Sequence, residues 1–550
     1  MGKQGGPFMN RDQQSQSNLY SFLISLFAFS LAFNLFSYVT ADPDLWGHVK
    51  FGEQIWTAKA LHTDDPFSYT AHGMPWINHE WLSEIIFYMT FRFSGPAGLL
   101  LLKILAGLLT VSLLFQMCLK KENNLPALFL YFPLLVSVMG PGYMMRPHIF
   151  SYLFLAILMY LLQSFFHDGN RRVMTVMPLL FLFWVNMHGG VVAGLGIFAL
   201  VTLTELIRCI FQGEKLNTWL WAGFSLSCLT ILINPYGVDL WKFFYHTLSV
   251  PREIGEWNPV PLLNADFLAY KTLTLLFLAT LFAKTKKRSW EVVIILFSLW
   301  YGFKHQRHTV LTAIVMTPYL YLHLSAWIKK TGGSLDPRRS TPAGKFVKRH
   351  FASLFPISNP ALTLTLRVGP GPRSSPFHGV LKTALVALIL LNIFEGVEKY
   401  RSSGARIIVE PQVYPSYAVQ FMNVNHIAGN ILVPFDWGEY VIWKMPESRV
   451  SIDGRFRTVY PETIIRQNRA FSFGGPNWRE MLDRYPTEII LTRRSDKTHQ
   501  RMDEETGWMK IYEDPVSLIY MRVPGKENSG LVRKRGEFIH PKDPPSYLFP

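Results

Sequence analysis

The sequence predicts a polytopic α-helical membrane protein of about eleven spans, with a water-facing mixed α/β domain after the last of them. Three observations predict it. Hydrophobic residues make up 49% of the 550 positions and charged residues only 17%, against roughly 25% charged in a soluble protein. The apolar residues come in long blocks rather than at the spacing of a soluble core. Lys and Arg gather between alternate blocks, as the positive-inside rule requires. This composition excludes a disordered, collagen-like or disulfide-rich chain. The formal net charge is +16. Cations placed between apolar blocks speak for membrane orientation and not for nucleic acid. The three cysteines, Cys118, Cys209 and Cys228, lie in or beside apolar blocks and give no disulfide framework.

The first apolar block, from about Leu19 to Val39, is too long for a signal-peptide core and no small-residue cleavage site follows it. It reads as an uncleaved first span, with residues 1–17 in the cytoplasm. Spans are expected near 18–40, 97–118, 125–140, 148–166, 173–187, 190–211, 217–233, 268–283, 289–303, 308–328 and 380–396. The module 18–328 then carries a first outer loop at 41–96, and a basic cytoplasmic linker at 329–379 leads to the last span. Loop charges test the list. Lys120-Lys121, Arg171-Arg172, Arg208 with Lys215, Lys284 to Arg288 and the stretch from Lys329 to Arg373 all fall on inner connections. Several spans have only about 15 residues, less than the hydrocarbon thickness needs. Their outer ends should lie below the membrane surface, around a protein-walled cavity.

Residues 397–524 read as an outer α/β domain. Strand-like runs stand at 430–434, 449–452, 488–492, 508–512 and 516–522, and helix-like runs at 417–425, 461–470 and 478–485. This piece is expected to fold alone in water. Residues 525–550, polar and Pro-rich, are expected to be a disordered tail.

Candidate chemistry lies on the outer side. The first outer loop opens Asp42-Pro43-Asp44-Leu45-Trp46-Gly47-His48 and continues through Asp65-Pro66-Phe67-Ser68 to His79-Glu80-Trp81. An Asp-x-Asp pair can bind a divalent cation or take a proton from a hydroxyl. It can also simply cap and break helices. Arg146-Pro147-His148, Asn186-Met187-His188-Gly189, Asn234-Pro235-Tyr236-Gly237 and Glu256-Trp257-Asn258 stand in other outer connections. Each has a structural alternative: snorkelling for Arg146, a tight turn for His188 and for the Asn-Pro-Tyr-Gly run, interfacial aromatics for Trp184 and Trp257. Lys304, His305, Arg307 and His308 put four basic or imidazole groups at an outer mouth where cations are disfavoured, which an anionic ligand such as phosphate would explain. In the outer domain, Asp436 is expected to cap a helix. Asp453-Gly454-Arg455 is expected to be a surface turn with an ion pair, or else a contact for an acceptor glycan.

On these motifs, on the span count and on the outer C-terminal domain, the chain resembles the GT-C superfamily of membrane glycosyltransferases. Within it, the chain is similar to a bacterial branch related to the protein O-mannosyltransferase and aminoarabinose-transferase type. Asp436-Trp437-Gly438-Glu439-Tyr440 and Ile452-Asp453-Gly454-Arg455 belong to the same resemblance. Where the mannosyltransferases carry Asp-Glu in the first loop, Asp-Pro-Asp stands here. The resemblance implies a GT-C-like fold in a bacterial inner membrane with a periplasmic C-terminal domain. It implies inverting transfer of a sugar from a polyprenyl-phosphate donor to an acceptor glycan, lipid or protein on the outer face. Asp44 would be the base and Asp42 its partner, the two being the ligands if a divalent cation (Mg or Mn) is used. His79 and Glu80 would line the acceptor side. Arg146, His188, Lys304, His305, Arg307 and His308 would face the donor. The alternatives from other classes are a transporter or flippase of a lipid-linked anion, and a non-catalytic scaffold. No internal repeat of the transporter kind is visible, and a scaffold leaves the gathered acids and bases unused.

Overall fold

The computed structural model describes residues 11–250, 255–282, 286–333, 376–523, 538–541 and 543–550. The membrane part begins with α1 (Arg11–Phe36), α2 (Leu45–Ala58), α3 (Trp81–Lys121), α4 (Leu125–Met139), α5 (His148–Asp168) and α6 (Met177–Met187). It continues with α7 (Val191–Gln212), α8 (Thr218–Thr230), α9 (Val238–Ser249), α10 (Leu268–Leu281), α11 (Ser289–Lys304) and α12 (Thr309–Gly333), and ends with α13 (Pro376–Ser403). Every one of the eleven expected spans coincides with a helix. Among the described residues, seven helices are long and apolar enough to cross a membrane by length and composition. The other four, α6, α8, α10 and α11, have 11, 13, 14 and 16 residues.

Three helical stretches lie outside the expected spans: α2, α9 and the first part of α3. α2 follows the exit of α1. The first part of α3 was expected to be loop; it is helical from Trp81 and turns into the second span at Gly95, whose φ of +59° admits a glycine, before Pro96. The first and last spans are joined at depth by polar side chains. Asn34 donates to Glu395 at 2.6 Å and Lys399 donates to Asn34 at 2.7 Å. In hydrocarbon such groups must find one another.

The outer domain holds α14 (Ser416–Val424), α15 (Gly438–Lys444) and α16 (Glu462–Phe473) around a sheet of β1 (Asn430–Leu432), β2 (Arg449–Val450), β3 (Ile489–Arg493), β4 (Trp508–Glu513) and β5 (Ser517–Arg522). The strand order is β2-β1-β3-β5-β4. The first three strands are parallel, and β5 runs antiparallel to β3 and β4.

This domain is not separate from the first outer loop. Ser68 pairs in parallel with Val450, with Tyr69 N donating to Val450 O and Val450 N to Phe67 O, both at 3.1 Å. The loop thus extends the sheet past β2. Phe51, Ala71 and Trp76 of the loop share a core with Ile452, Val459 and Ile464 of the domain. Asp453-Gly454-Arg455, expected at the surface, is buried in that seam. Arg455 donates to both oxygens of Asp453 at 2.9 and 2.7 Å and pairs with Asp65 at 2.7 Å. The rings of Trp76, Phe67 and Phe51 lie 4.7, 4.9 and 5.3 Å from the guanidinium. The domain thus shares a core with the first outer loop, which covers the apolar face beside β2. The expected disordered tail is corrected at its end. Residues 39–41, 407–409 and 547–549 form a backbone ribbon through Ala41 N to Ile408 O and Val409 N to Tyr547 O, both 2.8 Å. Phe549 is buried against Trp46 and Phe91. Tail residues 525–537 and 542, and residues 334–375 of the linker, lie outside the described residues.

Replacing Arg455 with Met should leave Asp65 and Asp453 buried without a cation, at a cost of about 3–5 kcal/mol. The thermal midpoint of the detergent-solubilised full chain should fall accordingly, and an unchanged midpoint would refute the seam as a stabilising contact.

Candidate functional site

The ribbon at residues 39–41 delivers Asp42 to the exit of α1, and α2 starts directly after Asp44. Asp44 occupies the N-terminal flank of α2 at φ −85° and makes no side-chain cap. Its carboxylate is therefore free for other work. Asp42, by contrast, is nearly fully buried, and its Oδ1 accepts from Arg146 Nε at 2.6 Å and from the Asp44 amide at 3.0 Å. Arg146 comes from the connection before α5. Its Nη1 reaches Asp44 Oδ2 at 3.2 Å and Glu256 Oε1 at 3.1 Å. The position between Asp42 and Asp44, where a metal ion was expected, is filled by a guanidinium.

The proton affinity of Asp44 is raised. Burial pushes its carboxyl up to about 6, with Arg146 opposing and Asp42 adding like-charge repulsion. A carboxylate at that value can still ionise near neutral pH and is a far stronger base than a solvated aspartate.

A second group lies one turn further along α2. His48 Nδ1 stands 3.5 Å from Glu84 Oε1, and Glu84 Oε2 accepts from Asn78 at 2.5 Å. Glu80, at the start of α3, faces His188 at 3.5 Å and His79 at 3.7 Å. One ligand atom from each of His48, Glu80 and Glu84 lies within 4.8 Å of the other two. One imidazole and two carboxylates in that compass suit a divalent cation, and Asn78 would hold Glu84 in place from outside. Without a cation, burial pushes Glu80 up to about 7, with His48 opposing. Burial alone would lower His48, but the hydrogen bond to Glu84 and the charge of Glu80 outweigh it and hold it above its usual value.

His188 has a defined tautomer. Its Nδ1 accepts from the Gly190 amide at 2.9 Å and bonds the Ser151 hydroxyl at 2.7 Å, so the Nε2 proton is left for Glu80. Burial, with neighbouring imidazoles, keeps it neutral by lowering its proton affinity well below the ordinary value.

The expected basic mouth divides. Arg307 approaches Glu256 Oε2 at 3.7 Å and stacks on Trp257 at 5.1 Å. His305 bonds the Trp257 carbonyl at 2.8 Å, and the His308 ring lies 5.6 Å from that indole. These two brace the loop that carries Glu256. Lys304 turns away, 5.2 Å above the ring of Trp300, whose side chain faces outward.

The outer domain enters the site at two points that sequence reasoning missed. Glu439 of α15 is buried, and its Oε2 accepts from the Gly47 amide at 3.0 Å. A Cβ on Gly47 would lie 2.2 Å from the Glu439 carboxyl carbon; a Cβ on Gly454 would lie 2.5 Å from Asp44 Oδ1 and 2.6 Å from Glu439 Oε1. Both glycines are there because carboxylates need their space. Burial and the charge of Asp44 raise Glu439 well above its ordinary value. Asp436, expected to cap α15, instead pairs with Arg493 at 2.8 Å. The signals for the missed acids were present: Glu84 follows Glu80 by four residues on one helix face, and Glu439 stands in a motif already noted.

A groove of about 400 Å³ opens between α3, α6 and the connection after α8, lined by Trp81, Leu182, Phe183, Asn186, Ile233 and Pro235 among others. Phe183 and Ile233 are exposed there on the outer faces of the bundle, so the groove is open to the hydrocarbon side.

No protein-family model matches the chain, and no curated protein matches it by sequence. Solved structures do. The archaeal oligosaccharyltransferase AglB from Archaeoglobus fulgidus, in complex with an inhibitory peptide and a dolichol-phosphate, is similar over 93% of this chain and 75% of its own, at 9% identity and a TM-score of 0.51. ArnT from Cupriavidus metallidurans bound to undecaprenyl phosphate covers 91% of this chain and 97% of its own, at 10% identity and a TM-score of 0.45. Its apo state covers 93% and 98%, at 9% identity and a TM-score of 0.48. At such identity the likeness to AglB is one of fold alone: the chain is a polytopic helical membrane protein that shares the fold of that structure and carries a C-terminal α/β domain.

Proposed function

We propose that this protein is an inverting glycosyltransferase that moves a sugar from a polyprenyl-phosphate donor to an acceptor glycan, lipid or protein on the outer face of the membrane. The observation that carries the reading is Asp44: one partly accessible carboxylate of raised basicity, 3.2 Å from the guanidinium of Arg146. The fold neighbour AglB was solved in complex with a dolichol-phosphate, which supports a donor of this class. The isoprenoid would lie in the groove beside Trp81 and Phe183, with its phosphate towards Arg307 and Arg146.

In the reaction, Asp44 takes the proton of the acceptor hydroxyl as its oxygen attacks the anomeric carbon. The bond from that carbon to the phosphate oxygen breaks, and the phosphate leaves with both electrons. A phosphate needs cations and not a proton donor to leave. A single displacement inverts the anomeric centre, because no side chain forms a glycosyl-enzyme. Asp42, committed to Arg146, positions that arginine.

For a divalent cation such as Mg or Mn, His48, Glu80 and Glu84 are the proposed holders in place of Asp42 and Asp44. Bound there, the ion would supply fixed positive charge beside the reacting sugar phosphate. The outer face is proposed to be the periplasmic side of a bacterial inner membrane. The loop charges support this: Lys120 and Lys121 end α3, Arg171 and Arg172 follow α5, and Lys329 and Lys330 stand near the end of α12.

Two outcomes test the proposal. Transfer from a polyprenyl-phosphate sugar should rise with pH through about 6, as Asp44 ionises, and Asp44→Asn should lose transfer by a factor of order 10² to 10⁴ while keeping its melting midpoint. A well-folded Asp44→Asn variant with near-normal turnover would remove the base. For the cation, chelator-treated protein titrated with Mn²⁺ should gain about 2.7 kcal/mol of stability at a hundredfold excess over Kd. Glu84→Gln should abolish that gain, and a midpoint indifferent to Mn²⁺ in the unsubstituted chain would discard the site.

A further inference from the structure

Arg146 and Arg307 reach the outer side from different connections, and they converge on one side chain. Glu256 Oε1 lies 3.1 Å from Arg146 Nη1, and Glu256 Oε2 lies 3.7 Å from Arg307 Nη1. One oxygen serves each guanidinium. Two non-bridging oxygens of a phosphate would make the same bridge. The carboxylate is also the outermost of the three groups: its side chain is 43% exposed, against 21% and 29% for the arginines. It sits on the short turn Gly255–Trp257, and among the described residues its carboxylate meets no partner but the two arginines.

The charges decide what this bridge does. Asp42, Asp44 and Glu256 set three acids against the two arginines. A phosphate added to this group would meet an excess of negative charge. The phosphodiester of a lipid-phosphate sugar, replacing Glu256, would exchange one single negative charge for another and leave the balance unchanged. Arg146 stays fixed meanwhile by Asp42, and Arg307 by the Trp257 ring. The Glu256 side chain could rotate out while the turn, braced through Trp257, stays in place and neither cation is released.

We infer that Glu256 is a built-in substitute for the donor phosphate, which holds Arg146 and Arg307 ready and must be displaced by the lipid-linked phosphate, so that it sets the affinity for that phosphate. This rests on the reading of the two arginines as the donor site. It predicts a gain where loss of a contact residue usually predicts a loss. Undecaprenyl phosphate should be titrated into the detergent-solubilised full chain. Glu256→Gln and Glu256→Ala should bind it about tenfold more tightly than the unsubstituted chain, the order expected when a charged competitor is removed. Arg307→Gln should bind it more weakly. The gain should shrink at high salt, where exposed charges are screened. Inorganic phosphate should show the gain as well, because Glu256 competes with the headgroup and not with the isoprenoid. If the unsubstituted chain binds undecaprenyl phosphate and both Glu256 variants bind it equally or more weakly at unchanged melting midpoints, Glu256 is a strut and the inference fails while the donor reading stands. If the gain appears with the lipid but not with inorganic phosphate, the inference fails too. If the folded chain and every variant ignore both probes, the donor reading itself fails.

Discussion

One buried cation, Arg455, joins the two halves of this molecule. It takes a carboxylate from each half, Asp453 of the outer domain and Asp65 of the first outer loop, and four aromatic rings close around it. A cation so desolvated survives only when paired. Its neighbours in sequence inherit the placement. Gly454 is pressed against Asp44, and the same docking brings Glu439 onto the Gly47 amide. The surroundings of the candidate base are thus set by a contact that lies outside the membrane bundle, which gives the outer domain a direct part in the site.

The short spans have a matching role on the other side. α6 and α11 have 11 and 16 residues, fewer than the 20 or so that cross the hydrocarbon. They end at His188 and at Lys304–His305, and irregular backbone follows each. Such backbone is tolerated at depth only where protein or a wet cavity receives it. Here the Gly190 amide is taken up by His188, and the Trp257 carbonyl by His305. Under the proposed function, polar side chains held at these short ends would be where a lipid-borne phosphate is met.

Periodicity and loop charge made the fold legible. Each apolar block became a helix, and the five strand-like runs became the five strands of one sheet. What the sequence concealed was which faces meet. A strand such as β2 shows its apolar pattern but not its cover, so the loop that completes the sheet was read as independent of it. The tail misled through composition: its prolines and charges suggested disorder, while Phe549 found a pocket beside Trp46. At the site, residue types were visible and partners were not. Arg146 looked like a phosphate ligand and is held by three acids; Asp42 and Asp44 looked like metal ligands and share that arginine. Glu256 and Glu439 were passed over because an acid in a loop or at a helix start has many ordinary uses, and only distance distinguishes them.

The acids around Arg146 are graded by their partners, and that grading singles out Asp44. Asp42 is committed: its Oδ1 carries both the shortest guanidinium contact of the group and a backbone amide. Glu439 is the opposite case. It is buried with a single amide donor and lies beside Asp44, so burial and like charge drive it towards the neutral acid. Glu256 is exposed, and its oxygens are turned to the two arginines. Asp44 lies between these extremes, with an arginine near enough to permit ionisation and burial enough to make the ion basic. A reaction that expels phosphate asks for one base and some fixed positive charge. In the proposed reaction Asp44 would be that base and Arg146 would bring that charge.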